Sequence, residues 1–408
     1  MCGFGVHKEK YNDHFIKQRG QDAENHVEIN GFTFSHYLLA ITGEPTKQPY
    51  IDGDIVCVYN GVIYNHPFEK SDGEVIIPLY KQYGSRFPKY LDGEFAIALY
   101  DFKLGIAIFV TDPFATKPLW INGVECSSYE SGVGGAKLAA NSILVKNLFT
   151  SEVENVDFTY RFDFTQHKDT YEDCIQALRN SIRKRAKDRC FLGLSSGYDS
   201  GAIACELSNQ KVNYKAYSVV ASESKNILSI RGQLANEFEL IHDFDHMEMK
   251  RHLNDNAEEF FYDYYYNGEH ITKSYKEDWA ARGLSIICKQ ARNEGRKVYL
   301  SGQGADEILS DYSLIPRQSE FKGVFPERLS EWTNFYRGCQ YSYLGKEECV
   351  AGSWNIETRY PFLDKDFVQE FLWLKPELKN RHYKAPIYEY LKLNNYPFEE
   401  NKKIGFCA

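Results

Sequence analysis

Paired cysteines are missing from this sequence. Its 408 residues include ten cysteines, but these are scattered singly and never form a Cys-x-x-Cys pair. This pattern fits neither the disulfide framework of a small secreted protein nor a zinc ribbon. The first residues also lack the charged and then apolar order of a secretory signal. We therefore expect a protein of the reducing cytoplasm.

Long hydrophobic runs are missing as well. The runs Phe95–Tyr100 and Ile106–Val110 are separated by Asp101 and Lys103. Each run is far shorter than the roughly 20 apolar residues that a helix needs to cross a bilayer. We therefore expect no membrane-spanning segment.

An excess of basic residues is also missing, because the formal net charge is −9. The one short basic cluster comprises Arg183, Lys184, Arg185 and Lys187, and it lies in a helical pattern that also contains acidic residues. We interpret it as a solvated helix face. Without a basic surface there is no electrostatic footprint for a phosphate backbone, so no nucleic-acid partner is expected.

Histidine pairs with metal-ligand spacing are not convincing either. His242 and His246 are four residues apart, but we interpret Leu240–Met247 as a strand. In a strand, this spacing does not make two side chains neighbours.

The length of the chain favours two domains, because single cores rarely grow beyond a few hundred residues. Up to about residue 155, Gly, Asn and Asp turns separate short predicted strands, and Gly73–Tyr83 is predicted to be helical. This half is therefore expected to be α+β. The predicted strands are Gly31–Ile41, Asp54–Tyr59, Glu94–Asp101 and Gly105–Asp112.

From about Tyr171 the pattern alternates between helix and strand, which is typical of a parallel sheet covered by helices. The predicted elements are helix Tyr171–Lys187, strand Cys190–Leu194, helix Ala202–Leu207, helix Asp278–Glu294 and strand Lys297–Leu300. We predict domains at 2–155 and 171–408, with a linker at Asp157–Asp169.

A turn rich in small residues follows the first of these strands. It reads Leu194-Ser195-Ser196-Gly197-Tyr198-Asp199-Ser200-Gly201. Small residues let backbone N–H groups approach an anion closely, and the following helix N-terminus adds a partial positive charge. The turn fits neither the dinucleotide fingerprint nor the Walker loop. It predicts phosphate binding, and a plain tight turn is the alternative.

A similar turn follows the second strand. It reads Leu300-Ser301-Gly302-Gln303-Gly304-Ala305-Asp306-Glu307. Loops at the carboxyl ends of neighbouring parallel strands share one crevice, so Asp199 and Asp306 are expected to converge on one Mg²⁺ that bridges phosphate oxygens. The alternative is that both aspartates only cap helices.

The two turns together resemble the synthetase domain of glutamine-hydrolysing asparagine synthetases and of the related β-lactam synthetases. The first turn is similar to the pyrophosphate-binding loop Ser-Gly-Gly-x-Asp-Ser of enzymes that cleave ATP between its α and β phosphates. Two later segments agree with this family, namely Glu357-Thr358-Arg359-Tyr360-Pro361-Phe362-Leu363-Asp364 and Lys403-Ile404-Gly405-Phe406.

The N-terminal half resembles the class II glutamine amidotransferase domain of the same family. The matching segments are Met1-Cys2-Gly3, Arg19-Gly20-Gln21-Asp22, Asn60-Gly61-Val62-Ile63-Tyr64-Asn65, Ser71-Asp72-Gly73-Glu74-Val75, Leu91-Asp92-Gly93-Glu94-Phe95-Ala96 and Asp112-Pro113-Phe114-Ala115-Thr116-Lys117-Pro118-Leu119. The resemblance implies an α/β protein, in which an Ntn-type α+β sandwich precedes a parallel-sheet ATP-pyrophosphatase domain.

For the first domain, the resemblance implies an ammonia-releasing site. Once Met1 is removed, the free α-amine of Cys2 can act as the base for its own thiol, which attacks the glutamine amide. By the resemblance, Asn60 and the Gly61 N–H form the oxyanion hole, and Asp72 binds the α-amine of the donor.

Two positions depart from the family pattern. Leu38 stands where the family has an Arg that grips the donor carboxylate, and Val62 stands where the family has a Glu. Loss of a bidentate clamp should weaken amino-acid binding by roughly a few kcal/mol unless other residues substitute.

For the second domain, the resemblance implies that AMP is transferred from ATP to a carboxylate, which ammonia then attacks. Ser195, Ser196 and Ser200 would hold pyrophosphate, with Gly197 in the same loop, and Asp199 and Asp306 would hold the metal. Ser301, Gly302, Leu194 and Val220 would contact the nucleotide, and Lys403 would stabilise charge. Gln303 cannot take a proton as a carboxylate can, so Glu357 is our acid/base candidate.

The acceptor and the assembly stay open at this point. Aspartate, giving asparagine, is the default acceptor, and a uronic acid or a peptide side chain is an alternative. Ring closure in the manner of β-lactam synthetases, with an inactive first domain, is a second class. A pure N-terminal-nucleophile amidase or a non-catalytic remnant is a third. A homodimer is compatible with the resemblance.

Overall fold

The computed structural model describes residues 2–9, 11–220, 223–266, 269–313 and 315–400. Contacts within the chain divide it into two compact units. The first comprises Met1–Arg161, Asn256–Glu258 and Gly352–Asn355, and the second comprises Phe162–Asp255, Glu259–Ala351 and Ile356–Ala408.

The first unit contains two six-stranded antiparallel sheets. In chain order its strands are β1 (Gly3–His7), β2 (Ala23–Ile29), β3 (Phe32–Leu38), β4 (Tyr50–Asp52), β5 (Ile55–Ile63), β6 (Gly93–Asp101), β7 (Ile106–Thr111), β8 (Trp120–Asn122), β9 (Glu125–Ser127), β10 (Ala136–Lys137), β11 (Ile143–Asn147) and β12 (Val153–Asp157). One sheet has the order β10-β8-β9-β1-β3-β2, and the other has the order β12-β11-β7-β6-β5-β4.

The main core of this unit lies between the two sheets. Phe4 and Phe34 from one sheet share a hydrophobic cluster with Val58 and Ala98 from the other. The outer face of the second sheet packs against helix α2 (Ile76–Tyr83) through a separate cluster. Strands β5, β6 and β7 are therefore covered on both faces, which explains why their sequences are nearly continuous apolar runs.

The shorter helices of the first unit are α1 (His14–Gln18) and α3 (Glu130–Val133). Strand β2 alternates between more and less exposed residues, because one of its faces is open to solvent. Strand β12, at an edge of the second sheet, is almost wholly exposed.

The second unit is built on a five-stranded parallel sheet. Its strands are β13 (Cys190–Gly193), β14 (Tyr214–Val219), β15 (Glu237–Ile241), β18 (Val298–Leu300) and β19 (Glu357–Arg359), in the order β15-β14-β13-β18-β19. Strands β16 (Phe261–Tyr266) and β17 (Glu269–Ser274) form a separate antiparallel ribbon.

Helices accompany this sheet along the chain. They are α4 (Glu172–Arg185), α5 (Tyr198–Asn209), α6 (Lys225–Leu234), α7 (His246–Asn256), α8 (Trp279–Asn293), α9 (Ala305–Leu309), α10 (Thr333–Tyr336), α11 (Gly338–Ser353), α12 (Lys365–Trp373), α13 (Pro376–Lys379) and α14 (Ala385–Leu393). No helix in the described part of the chain is both long and apolar enough to cross a membrane.

The strand order reverses direction between β13 and β18. From β13 the chain proceeds to β14 and β15 on one side, whereas β18 and β19 add to the other side. In open parallel sheets, ligands bind outside the carboxyl ends of the strands at such a switch point. The two Ser/Gly turns follow β13 and β18, so the topology brings both of them to this crevice.

The predicted fold class is confirmed: an antiparallel α+β half precedes a parallel α/β half. One predicted element is wrong. Residues 240–247 do not form a strand, because β15 ends at Ile241 and α7 begins at His246. The Asp245 carboxylate accepts hydrogen bonds from Met247 N and Glu248 N at 2.8 and 3.0 Å, which starts the helix.

Candidate active sites

Cys2 and Asn60 meet in the first unit. The backbone nitrogen of Cys2, which precedes β1, donates to Asn60 Oδ1 at 2.9 Å. Asn60 is fully buried in β5, and its Nδ2 has no hydrogen-bond partner among the described residues. Buried amide donors are nearly always paired. This donor is therefore available to a ligand oxygen beside Cys2.

The outer edge of β5 supplies a second donor. β4 pairs only with the first residues of β5, and beyond them side chains take over the edge. Tyr59 N donates to Gln48 Oε1 at 2.7 Å, and Ile63 N donates to Asp72 Oδ2 at 2.8 Å. N–H groups two residues apart point to the same edge of a strand, so the Gly61 N–H faces this edge between the other two.

The neighbouring strand β6 does not accept a hydrogen bond from the Gly61 N–H. Phe95 lies opposite Gly61 on β6, but its N–H donates to Asp112 Oδ2 and its carbonyl accepts from Asp112 N, each at 3.0 Å. Gly61 itself has a φ of +145°, and a Cβ there would lie 2.0 Å from the Glu94 carbonyl oxygen. Only glycine fits this close approach of two strands.

Asp72 lies beside the same edge. Its carboxylate is 4% exposed and accepts from the Tyr59 hydroxyl at 2.5 Å in addition to Ile63 N. Burial, followed by the Asp72 charge, raises the pKa of Tyr59 well above its usual value, and Cys2 contributes to the same shift. The structure therefore brings Cys2, Asn60, Gly61 and Asp72 into one region.

The two departures from the family pattern are both buried. Leu38 is 7% exposed and Val62 is 4% exposed, so neither position offers a polar group. The buried cation next to Cys2 is Arg19, whose Nε donates to the Cys2 carbonyl at 3.4 Å and whose Nη1 donates to the Tyr129 hydroxyl at 2.8 Å. Arg19 thus supports the backbone of the nucleophile.

In the second unit, the first Ser/Gly turn is folded on itself. Ser195 N donates to Ser200 Oγ at 3.0 Å, and Gly197 N donates to Ser195 Oγ at 3.0 Å. The two hydroxyl oxygens lie 2.9 Å apart. Leu194 is buried directly before the turn. We refer to residues 195–200 as the phosphate loop.

The carboxylate of Glu223 is hydrogen-bonded to the phosphate loop. Glu223 Oε2 accepts from Ser196 N at 2.7 Å and from Ser196 Oγ at 2.5 Å, and Ser224 N donates to Ser196 Oγ at 3.1 Å. The loop therefore presents a backbone N–H and a hydroxyl to the carboxylate of Glu223, and phosphate binding stays a prediction.

Asp199 and Asp306 converge on one cation, which is Lys384. The Lys384 Nζ lies 2.7 Å from both carboxylate oxygens of Asp199 and 2.9 Å from Asp306 Oδ1. Burial would lower the pKa of Lys384, but the two carboxylates raise it well above its usual value. Tyr383 donates to Asp306 Oδ1 at 2.7 Å. Both aspartates thus face a buried positive charge.

The residues present fit Mg²⁺ in part. Mg²⁺ is usually coordinated by one or two protein carboxylates, together with phosphate oxygens and water. Two carboxylates that contact one cation suit such a metal. No cluster of three or more His, Cys, Asp or Glu side chains that could hold a metal occurs among the described residues. Asp199 and Asp306 are the residues that would hold Mg²⁺.

The second turn approaches the first. A Cβ on Gly302 would lie 3.0 Å from the Asp199 Cβ, so the two turns touch at this glycine. Ser301 is buried, and its hydroxyl donates to Glu347 Oε2 at 2.6 Å. Val220, directly after the neighbouring strand β14, is 40% exposed. These residues lie at the carboxyl ends of adjacent strands, as expected for a shared crevice.

One predicted catalytic residue, Glu357, does not lie at this crevice. Glu357 pairs with Val298, at the start of β18 rather than its end, and its Oε1 accepts from Arg359 Nε at 2.6 Å. Lys403 lies outside the described residues. Near the second turn, burial and then the Asp306 charge raise the pKa of Glu307 to about 7.

Sequence reasoning missed the charged residues that surround the two turns. Lys384, Arg231 and Glu223 lie outside every motif, and no local signal marks them. Glu307 follows Asp306 directly and belongs to the second Ser/Gly turn, so the motif could have indicated it.

Comparisons with known proteins agree along the chain. A family model described as a glutamine amidotransferase domain matches residues 6–182, and one described as asparagine synthase matches residues 174–340. A putative glutamine-hydrolysing asparagine synthetase of Methanocaldococcus jannaschii is 27% identical, over 93% of this chain and 74% of its own length. A probable asparagine synthetase of Schizosaccharomyces pombe is 26% identical, over 89% and 72%. That of Asparagus officinalis is 25% identical, over 89% and 66%.

Proposed function

Because this chain belongs to the family of glutamine-hydrolysing asparagine synthetases, we propose that it is an ATP-dependent amidotransferase. It releases ammonia from glutamine at Cys2 and transfers it to an ATP-activated carboxylate. The acceptor is aspartate and the product is asparagine. The enzyme is thus a ligase that forms a carbon–nitrogen bond, and AMP and pyrophosphate leave.

The observation that carries the proposal is the orientation of Asn60. Its Oδ1 accepts from the Cys2 nitrogen, while its buried Nδ2 is left without a partner among the described residues. One side chain can therefore hold the α-amine of a nucleophile and also donate to an oxygen beside the thiol. Amide cleavage through a tetrahedral intermediate requires both functions.

In the first half-reaction, Cys2 is the N-terminal residue after removal of Met1. Its α-amine takes the thiol proton, and the sulfur attacks the amide carbon of glutamine. Asn60 Nδ2 and the Gly61 N–H donate to the oxygen that becomes negative. The C–N bond then breaks, ammonia leaves with the proton, and water hydrolyses the thioester to glutamate.

Asp72 binds the α-ammonium of the donor in this scheme. Its carboxylate is held by Tyr59 and Ile63, so it is fixed before the donor arrives. With Leu38 and Val62 buried and apolar, the donor carboxylate has no cation from these two positions. We therefore expect weak binding of glutamine, with a correspondingly high KM.

In the second half-reaction, ATP is a substrate. A carboxylate oxygen of the acceptor attacks the α-phosphorus, the bond to the β-phosphate oxygen breaks, and pyrophosphate leaves. Ammonia then attacks the activated carbonyl carbon, and AMP departs with the bonding electrons. The phosphate loop binds the pyrophosphate portion through Ser195, Ser196 and Ser200, and Ser301 and Gly302 bind the nucleotide.

Positive charge at this site comes from Lys384, and a bound Mg²⁺ would add to it. When bound, Mg²⁺ would neutralise phosphate oxygens and polarise the bond that breaks. Asp199 and Asp306 would hold it. Lys384 remains protonated beside them, because the two carboxylates raise its pKa well above its usual value, and it can donate to a phosphate oxygen.

The deciding experiment is an incubation with ATP, Mg²⁺ and glutamine in which acceptors are varied. Glutamate, AMP and pyrophosphate are followed with aspartate, with a uronic acid and with a peptide that carries a carboxylate side chain. We expect stoichiometric AMP and pyrophosphate with aspartate. Pyrophosphate with another acceptor only would replace aspartate, and none with any acceptor would refute the synthetase half.

A further inference from the structure

Arg231, from helix α6, is fully buried beneath the phosphate loop. Its Nη1 donates to the Ser195 carbonyl at 2.6 Å and to the Gly197 carbonyl at 2.8 Å, and its Nε donates to the Pro397 carbonyl at 2.9 Å. Within the described residues it forms no ion pair. A buried guanidinium without a carboxylate partner is costly, so its contacts with the loop call for an explanation.

These contacts determine which way the loop peptides face. In a trans peptide the carbonyl and the following N–H point in opposite directions. Because Arg231 donates to the carbonyls of Ser195 and Gly197, the N–H groups of Ser196 and Tyr198 face away from it. One guanidinium therefore orients two peptide groups of the loop at once.

The Ser196 contact shows what lies on that opposite side. Its N–H donates to the Glu223 carboxylate at 2.7 Å, so the face turned away from Arg231 binds an anion. Inorganic pyrophosphate and the phosphates of ATP are anions that accept several such hydrogen bonds. The fixed charge of Arg231 lies on the other side of the same loop and adds to the attraction.

Gly201 makes room for this arrangement. A Cβ at Gly201 would lie 2.5 Å from Arg231 Nη2 and 2.7 Å from its Cζ. Gly201 lies inside helix α5, where glycine is a poor helix former and alanine is the best. Glycine at this position thus opposes helix propensity and allows the guanidinium to lie against the helix.

We infer that Arg231 is a positioning residue for ATP binding: it turns the Ser196 and Tyr198 N–H groups toward the pyrophosphate portion, in space that Gly201 provides. The inference rests on the proposed function of the phosphate loop. It concerns a residue that contacts the loop from behind rather than the substrate.

The first test removes the guanidinium and keeps its volume. Arg231→Met is compared with Lys225→Met, which removes an exposed positive charge from the same helix. Calorimetric titration with ATP and separately with inorganic pyrophosphate should show at least tenfold weaker binding for Arg231→Met and unchanged binding for Lys225→Met. The KM for ATP should rise more than kcat falls, and Arg231→Lys should recover part of the loss.

Binding by the folded variant distinguishes positioning from mere structural support. Arg231→Met removes the donor to the carbonyls of Ser195, Gly197 and Pro397, and the loss of a donor to buried acceptors lowers stability. Binding is therefore measured well below the midpoint of thermal unfolding of the variant, at a temperature where its circular dichroism spectrum should match that of the wild type. Glutamate release at Cys2 should also be unchanged. Wild-type affinity for ATP and pyrophosphate in folded Arg231→Met would overturn the inference.

A second test uses Gly201, and its single variant does not depend on the folding of Arg231→Met. Gly201→Ala should favour the helix yet weaken binding of ATP about tenfold, because its methyl group displaces the guanidinium. In the Arg231→Met background the same change should have little further effect. Wild-type affinity in Gly201→Ala, or an equal loss in both backgrounds, would contradict the inference.

These results are separable from the proposed function. If no acceptor yields pyrophosphate but the binding pattern holds, Arg231 still positions a phosphate loop and only the assigned reaction fails. If pyrophosphate forms and both variants bind ATP normally, the reaction stands and the role of Arg231 is refuted.

Discussion

The two candidate sites hold their reactive groups by different means. In the first unit, neutral groups do most of the holding: Asn60 binds the Cys2 nitrogen, and the Tyr59 hydroxyl binds Asp72. In the second unit, Lys384 holds Asp199 and Asp306. Amide cleavage needs a few oriented donors at one developing oxyanion, whereas phosphate chemistry must balance several charges. The contrast fits the substrate that we propose for each site.

The same contrast extends to two buried aspartates away from the reacting groups. Asp112 in the first unit accepts from Thr116 N and Phe114 N, and burial raises its pKa to about 6. Burial would also raise the pKa of Asp364 in the second unit, but Arg185 and Lys184 lower it to about 2. One carboxylate is buried among neutral donors and the other among cations. The interpretation of the basic cluster as a solvated helix face is therefore wrong for Arg185, which is 1% exposed because it pairs with Asp364.

The largest expected effect is the loss of activity at the first site alone. Cys2→Ala removes the nucleophile, so glutamine-dependent turnover should fall by at least about 10⁴-fold. Turnover with ammonium chloride should persist, because the second site does not need the thiol. Both rates are measured as AMP formation, with the buried thiol variant Cys126→Ala as the control. Loss of ammonia-dependent turnover in Cys2→Ala would contradict two separate sites.

The reciprocal change should remove activity at the second site alone. Asp199→Asn removes a charge opposite Lys384 and the ligand that we propose for Mg²⁺, so pyrophosphate release should fall about a thousandfold. Glutamate release should remain within a few-fold of wild type. Asp188→Asn, an exposed change on the same unit, should leave both activities unchanged. A parallel loss of glutamate release would show that the two chemistries are not independent.

A change at Asn60 separates its two roles. Asn60→Asp keeps an oxygen for the Cys2 nitrogen but replaces the Nδ2 donor, so kcat for glutamate release should fall about 10²–10³-fold. The exposed variant Asn155→Asp is the control. Alkylation of the thiol by iodoacetamide should proceed in both variants. Near-normal kcat in Asn60→Asp would remove Asn60 from the oxyanion site.

The buried aspartates test the contrast in charge. Asp364→Asn leaves Arg185 without its partner at 2.6 Å, and breaking a buried pair costs about 3–5 kcal/mol. The pKa of Asp364 is lowered on folding, so its stabilisation is present above about pH 4 and is lost as the pH falls toward 2. Urea unfolding across this range measures it.

Asp112 should show the opposite sign. Its pKa is raised on folding to about 6, so the folded state binds more protons between about pH 4 and 6. The free energy of unfolding should therefore fall as the pH rises through this range. Asp112→Asn should flatten that slope, measured in the same urea titrations, and an unchanged slope would show that Asp112 is ionised throughout.

The smallest expected effect concerns Glu223, whose carboxylate is bound to Ser196 of the phosphate loop. Glu223→Gln removes an anion that competes with phosphate for Ser196, so the KM for ATP should fall several-fold. The exposed variant Glu172→Gln should match wild type. A higher KM in Glu223→Gln would mean that Glu223 assists binding.

Much of the fold could be predicted from short-range patterns. The predicted strand Glu94–Asp101 differs from the observed β6 by one residue, because turn residues bound it. The helix after the phosphate loop was predicted from Ala202 but begins at Tyr198, since Ser and Gly are weak helix formers and mask its start. The motif residues of the two Ser/Gly turns lie close together, whereas Glu357 forms an ion pair with Arg359 of its own motif.

The sequence by itself determined the two-part fold class and the two Ser/Gly turns, together with Cys2, Asn60, Gly61 and Asp72. Turn residues and apolar periodicity act over a few positions, so they can be recognised in the chain alone. The tertiary structure decided which charges serve the sites. Lys384 reaches Asp199 across 185 positions and Arg231 reaches Ser195 across 36. Such partners depend on packing and topology, because a charged side chain carries no local pattern that indicates its distant neighbour.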